Sequence, residues 1–316
     1  MIAYGPVPSR RLGQSLGINN IPPKICTYSC VYCQVGRTIN MQAERSAFYE
    51  PDNILKEVES SVQKAVDAGV RIDYLTFVPD GEPTLDVHLG REIEMLQHLD
   101  RKIAVITNSS LIARPDVRDE LMNADWVSVK VDAVREETWR RINRPHQAVD
   151  LDSMLDGLLR FADAYTGELV TETMLVGGLN DSDGHAEQIA EFLRTLAPAR
   201  AYLSIPTRPP AEERAGAPDE HAINRFFQTL SKAVDGAEYL IGYEGNAFAS
   251  TGDVLEDILS ITAVHPMREQ AVRELLRRAN TDWAALENLI GQGKLVETNY
   301  EGHKYYLRRT SAQRQG

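Results

Sequence analysis

Cys26, Cys30 and Cys33 are the three cysteines of this 316-residue chain, and they fall in one run, Cys-Thr-Tyr-Ser-Cys-Val-Tyr-Cys. The C-x3-C-x2-C spacing puts three thiolates on one short loop, close enough to ligate a single inorganic cluster. Structural zinc takes four protein ligands, and four-cysteine iron–sulfur sites saturate every iron, so three cysteines leave one metal position open. An open iron is where a small molecule coordinates. Two other uses of these residues are a disulfide with a spare thiol and a zinc site completed by a histidine such as His88 or His146. Disulfide frameworks spread an even number of cysteines along short secreted chains, whereas these are odd in number and clustered. Zinc knuckles come in pairs or with a downstream histidine pair, and no H-x3–5-H occurs here. The residue types favour a cluster.

With the aromatic Tyr32 just before the last cysteine, the motif resembles that of the radical S-adenosylmethionine (SAM) superfamily. In those enzymes three cysteines hold a 4Fe-4S cluster, and SAM binds the open iron and is cleaved to a 5'-deoxyadenosyl radical. The segment Gly5-Pro6-Val7-Pro8-Ser9-Arg10-Arg11-Leu12-Gly13 is similar to a branch of the superfamily grouped with wyosine base-forming and nitrogenase-cofactor maturation enzymes. That similarity spans most of residues 1–245.

Elements able to position such a loop are legible around it. Ile54, Val58, Val62 and Ala65 recur at helical spacing between Pro51 and Gly69, which predicts a helix over 52–68. The run Tyr74-Leu75-Thr76-Phe77-Val78 has the composition of a buried strand. Further strands are predicted at 15–18, 103–107, 126–131, 169–176 and 201–205. Helices fit between them at 86–99, 115–123, 151–165 and 183–196. Strand and helix alternating at this rhythm mean parallel β with right-handed crossovers, in six units. The resemblance implies a partial (β/α)6 TIM-like barrel. In such α/β folds ligands gather at the carboxyl ends of the strands, where the cysteine loop also falls.

The other loops at that end supply the remaining candidates. Pro79-Asp80-Gly81-Glu82-Pro83-Thr84 resembles the superfamily's glycine–glutamate motif, with Asp80 in place of the first glycine. The resemblance implies that Gly81 and Glu82 receive the SAM amino group; the same residues also read as an ordinary Asp-Gly turn. Asn108, in Thr107-Asn108-Ser109-Ser110, offers donors and acceptors to ribose hydroxyls or a carboxylate. Lys130 interrupts an apolar strand and is expected in a polar lumen, binding an anion or pairing with Asp132 or Glu172. Gly177 and Gly178 resemble a segment near the adenine. Arg10, Arg11 and Arg208 suit a carboxylate or phosphate of the substrate, or surface ion pairs.

Composition narrows the setting. Hydrophobic residues make up 43% of the chain, enough for a substantial core. The N-terminus has neither a basic region nor an apolar stretch, and no run approaches 18 apolar residues, so the cytoplasm is expected, with no membrane contact. A formal charge of -12 disfavours a generic grip on phosphate backbones. Residues 251–316 hold nine basic and nine acidic residues, so the excess lies before them.

After a short strand at 239–241 and a loop through Gly242, Gly245 and Asn246, a boundary is expected near Ser250. This gives a barrel domain of 1–249 and a small domain of 250–316. Three apolar helical stripes and two β segments, at 295–298 and 304–307, joined through five residues from Asn299 to His303, resemble a winged helix. Its third helix, 283–292, has Glu287 and no Lys or Arg, so nucleic-acid binding is not favoured. A protein or peptide partner, or cover for the barrel opening, fits better. The resemblance also implies a reductant such as flavodoxin or ferredoxin. Alternatives are a tRNA-modifying enzyme of the wyosine type, and a cluster-dependent DNA-binding regulator.

Overall fold

The computed structural model of the chain describes residues 2–241, 248 and 253–309. Its centre is an eight-stranded sheet in the order β1-β2-β5-β6-β7-β8-β9-β10. The members are β1 (Ala3–Ser9), β2 (Gly13–Ile18), β5 (Tyr74–Phe77), β6 (Lys102–Thr107), β7 (Trp126–Lys130), β8 (Glu168–Met174), β9 (Arg200–Ser204) and β10 (Ala237–Leu240). From β2 to β10 neighbouring strands are parallel, and β1 alone runs antiparallel, against β2. The six units expected from the sequence are present, the short strand expected at 239–241 is β10 as a seventh parallel strand, and the antiparallel edge β1 is added. Two short strands, β3 (Ile25–Cys26) and β4 (Asn40–Met41), pair beside the cysteines.

The sheet is strongly curled. Arg10, in the turn after β1, donates to the carbonyls of Leu240 (2.8 Å) and Ile241 (2.7 Å) at the end of β10, the opposite edge. One side chain thus spans both margins of an open sheet.

Strand alternation sorts residues between two environments. Leu75, Phe77, Val127, Val129, Ala201 and Leu203 are buried in the core beneath the surrounding helices. On the other face Leu12, Ala104, Trp126, Val170 and Tyr202 form an apolar floor inside the curl, with Lys130 and Glu172 above it. The helices are α1 (Pro51–Asp67), α2 (Leu89–Leu96), α3 (Pro115–Leu121), α4 (Glu136–Ile142), α5 (Leu151–Ala164), α6 (Asp183–Leu196) and α7 (Glu220–Ser231). On α1, Ile54, Val58 and Ala65 are buried as the periodicity predicts, each large aliphatic side chain contributing roughly 1.5–3 kcal/mol. Asp150, Ser182 and Asp219 cap α5, α6 and α7 by accepting from backbone N–H groups of the first turn. Each cap contributes about 1 kcal/mol. Helices α4 and α7 were not expected.

The C-terminal elements are α8 (Val254–Val264), β11 (Met267–Arg268), α9 (Glu269–Arg278), α10 (Ala284–Gly291), β12 (Leu295–Tyr300) and β13 (His303–Arg308). The three strands form an antiparallel sheet, β11-β13-β12, over their own apolar core. The hairpin is tighter than predicted: Tyr300 pairs with His303, leaving the two-residue turn Glu301-Gly302. Both turn residues have positive φ, 47° and 73°, the twist that two-residue hairpins need. The expected loop at 242–246 and the boundary near Ser250 lie outside the described residues.

This C-terminal unit lies against the open side of the sheet. Helix α8 packs on β1, and Val7 of β1 joins the C-terminal core. Tyr300 and Tyr305 donate their hydroxyls to the carbonyls of Pro206 (3.2 Å) and Thr207 (2.8 Å), in the loop after β9. Among the described residues no helix is long and apolar enough to cross a membrane.

Candidate active site

The cysteine loop is held mainly by its backbone. Ser29 N–H and Val31 N–H donate to the carbonyls of Asn143 and Ile142, and His146 N–H donates to Thr27 O. Helix α4 and the loop after it therefore grip both flanks of Cys30. Buried Tyr28 pins the loop from beneath: its hydroxyl accepts from Trp139 Nε1 (3.2 Å), and the two rings meet edge to face. Trp139 and Ile142, three residues apart behind Glu136 and Glu137, were the available signal for α4.

All three thiols are free and half-buried. Two side-chain amides reach them: Asn108 Nδ2 donates to Cys26 Sγ (3.4 Å) and Asn143 Nδ2 to Cys30 Sγ (3.5 Å). Burial pushes Cys30 up to about 12, reinforced by Cys33 and Asp132, and burial raises Cys26 and Cys33 as well. A compensating positive charge is what such thiols require to become thiolates. Among the described residues no three His, Cys, Asp or Glu side chains converge as the ligands of a single ion do.

The loop after β5 lies directly on the cysteine loop. Glu82 N–H donates to Ile25 O (3.2 Å), and Lys24 N–H to Asp80 O (2.7 Å). Gly81 is required by contact, since a Cβ there would fall 2.0 Å from Ile25 O. Glu82 is fully buried and accepts from Thr84 N–H, the hydroxyls of Thr84 and Thr107, and Asn108 N–H. Burial raises its carboxyl, and those donors work against the shift. Asp80, in place of a glycine, pairs with Lys24 at 3.0 Å, both nearly buried.

Inside the curl runs a charged layer. Glu172 is held by Lys130 (3.1 Å) and Arg11 (2.8 Å). Burial alone would raise Glu172, but Lys130 and Arg11 overcome it and bring the carboxyl to about 2. Arg11 lies 5.6 Å from the Trp126 ring and 5.7 Å from that of Tyr202. Tyr32 donates its hydroxyl to Asp132, which also accepts from Asn143 (2.7 Å), and the Lys130 ammonium is 5.0 Å from the Tyr32 ring.

A cavity of about 360 Å³ joins these parts. Its lining takes in Cys26, Cys30, Cys33, Tyr32, Gly81, Glu82, Asn108, Lys130, Arg11 and Arg208, all candidates from the sequence. It also takes in Lys24, Met174 and, from the C-terminal unit, His265, which the sequence did not single out. Gly177, Gly178 and Arg10 are outside the lining. Gly178 N–H bonds Asp181 within a turn after β8, and Gly177 N–H bonds Gly216 O in the segment after β9. Arg10 is occupied across the sheet margins, and Arg11 belongs to the lumen layer, paired with Glu172. Arg208 donates to Gln34 (2.7 Å), next to Cys33. A more open cleft of about 500 Å³, lined by Arg71, Tyr74, Asp100 and Lys102 where β5 and β6 begin, contains no cysteine.

Comparison with known proteins agrees with this geometry. Residues 20–193 match the family model of the radical SAM superfamily. A UPF0026 protein of Methanocaldococcus jannaschii is 48% identical over 309 residues, 97% of this chain and 96% of that one. Among solved structures, a radical SAM methyltransferase from Sphaerobacter thermophilus aligns with a TM-score of 0.56 at 21% identity, covering 72% of this chain and 67% of that one. TYW1 with a lysine-pyruvate adduct bound aligns with a TM-score of 0.53 at 15% identity, covering 70% and 74%. At those identities the two structures share a fold with this chain. With its cysteine loop and parallel sheet matched by family, relative and fold, the chain belongs to the radical SAM superfamily and is an enzyme of it.

Proposed function

We propose that Cys26, Cys30 and Cys33 hold a 4Fe-4S cluster whose open iron takes SAM. The observation that carries this reading is the meeting of the three thiols with the Asp80–Glu82 loop in one cavity. The donor set fits: the thiols line one wall, amides of Asn108 and Asn143 face two sulfurs, and Gly81 lets the neighbouring backbone approach. When bound, cluster and SAM supply reductive cleavage of the sulfonium C–S bond and a 5'-deoxyadenosyl radical that abstracts hydrogen from a substrate.

The chain's own share is positioning and exclusion. Glu82, fixed by four donors, orders the loop that would meet the SAM amino group, and Asn108 links that loop to Cys26. Tyr32 offers a ring beside Cys30. The Arg11–Glu172–Lys130 layer, balanced by Asp132 at 3.6 Å from Lys130, sets a polar surface for the substrate above the apolar floor. The sheet is read as the partial (β/α)6 barrel, and the C-terminal unit, whose order of three helices and a hairpin is that of a winged helix, covers its opening. Tyr300 and Tyr305 of that hairpin are engaged with the barrel, and α10 carries Glu287 without Lys or Arg. Both features favour a covering role over DNA binding. The chain offers no further cysteines for a second cluster, which favours chemistry needing one.

Anaerobic reconstitution tests this. About four irons and four sulfides per chain are expected, with 5'-deoxyadenosine formed from SAM under dithionite. A protein that takes up no iron, or that holds a cluster and forms no 5'-deoxyadenosine, overturns the reading.

A further inference from the structure

The cleft of about 500 Å³ opens where β5 and β6 begin, at the end of the sheet away from the cysteine loop. Part of its wall is apolar: Val66 near the end of α1, then Val70 and Ile72. Val66 is 53% exposed, an aliphatic side chain with no cover of its own. The rest is charged, with Arg71, Arg101 and Lys102 as bases and Asp73 and Asp100 as acids. Tyr74 joins the two parts. It pairs in register with Lys102 on the neighbouring strand, whose ammonium lies 5.8 Å from the ring centroid.

The acids leave two of these bases unanswered. Asp73 is committed, pairing with Arg71 at 2.5 Å while its other oxygen accepts from Gln14 N–H at 2.8 Å. Arg101 donates from Nη1 to the carbonyl of its neighbour Asp100 (2.8 Å). Among the described residues neither Arg101 nor Lys102 pairs with a carboxylate. On a chain of net charge -12, two consecutive cations lining one cleft without an acid partner mark a place for an anion. The lining contains none of the three cysteines. Tyr74 also packs against the apolar floor of the lumen, with Leu12, Ala104 and Trp126, so that floor parts the cleft from the catalytic cavity.

We infer that this cleft is a second ligand site, separate from chemistry at the cysteines, and that it binds a nucleoside monophosphate. The phosphate meets Arg101 and Lys102, and the base lies along Tyr74 and the two valines. A guanidinium takes phosphate oxygens in paired geometry, and an ammonium answers them as a point charge. A flat base has an apolar face to bury, which a ring and an aliphatic wall accommodate. Inorganic phosphate alone leaves that wall in water, and an uncharged nucleoside leaves both cations unanswered. The volume falls within the range of roughly 300–1,000 Å³ usual for small-molecule sites. Nothing in the assignment depends on the cluster.

Isothermal titration calorimetry on the full chain tests this, with the four ribonucleoside 5'-monophosphates, their parent nucleosides and inorganic phosphate as probes. The expected result is a single site at which at least one monophosphate binds about tenfold or more tighter than its nucleoside and than inorganic phosphate. Lys102→Glu and Val66→Asp, both at exposed side chains, are each expected to weaken that monophosphate by about tenfold or more. If Val66→Asp does not fold, Lys102→Glu decides alone. Saturating 5'-methylthioadenosine, which carries the adenosine part of SAM, is expected to leave the affinity unchanged. Wild-type protein that binds no monophosphate overturns the inference, as does a monophosphate held no tighter than phosphate alone. So does unaltered affinity in a folded variant, or displacement by 5'-methylthioadenosine, which places the nucleotide in the catalytic cavity instead.

Discussion

The side-chain amide of Asn143 bridges Cys30 and Asp132, donating to Sγ across 3.5 Å and to Oδ2 across 2.7 Å. A residue of the helix-end loop thereby ties one of the proposed cluster ligands to the lumen carboxylate that accepts from Tyr32. Hydrogen bonds to ligand sulfurs stabilise the reduced, more negative cluster. Asn143→Leu is expected to lower the midpoint potential by on the order of 50 mV, the one-electron equivalent of about 1 kcal/mol. An EPR-monitored redox titration at matched iron content checks it, and an unshifted potential would remove Asn143 from the account.

Glu82→Gln puts an amide N–H where the structure has only donors around a carboxylate. The variant is expected to lose about 2 kcal/mol of stability and to bind SAM more weakly. Thermal melting reads the first effect and equilibrium dialysis the second. A melting change with unaltered SAM affinity would confine Glu82 to supporting its own loop.

Much of this was legible beforehand. The parallel strands were found because short β-branched and aromatic runs recur between helical stripes, and the cysteines because ligand number and spacing are written in sequence. β1 was not, since Gly5, Pro6 and Pro8 break a strand pattern that an edge position tolerates. Asn143 was not, because its partner Cys30 lies 113 residues away and no local pattern connects them. Arg10 and Arg11 are neighbours in sequence, yet one reaches the far sheet margin and the other the lumen.

Glu172 gives a pH dependence. Its folded carboxyl is drawn down to about 2 from an ordinary 4.5. Its contribution to stability is therefore complete above about pH 4.5 and disappears as the pH falls toward 2. Glu172→Gln takes the carboxylate from Arg11 and leaves Lys130 with Asp132 at 3.6 Å, and is expected to cost about 3 kcal/mol at pH 7, with a smaller penalty at pH 3. Urea midpoints of both proteins at the two pH values decide the matter.

Glu92 on α2 behaves in the opposite sense. It is 1% exposed and lies beside Asn20 and Asp86. Burial first, and the charge of Asp86 second, raise it to about 9 from 4.5. A raised folded value favours the protonated form, so stability is full below about pH 4.5 and declines as the pH climbs toward 9. Glu92→Gln is expected to melt several degrees above wild type at pH 9 and to match it at pH 4. Equal melting at pH 9 would count against a buried, proton-holding Glu92.

The Arg10 clasp has an asymmetric tolerance to mutation. On one margin it uses a guanidinium that no other residue type reproduces; on the other it uses main-chain carbonyls, present whatever side chains stand at 240 and 241. Substitutions at those two positions leave the acceptors in place, whereas any replacement of Arg10 removes both of these bonds at once.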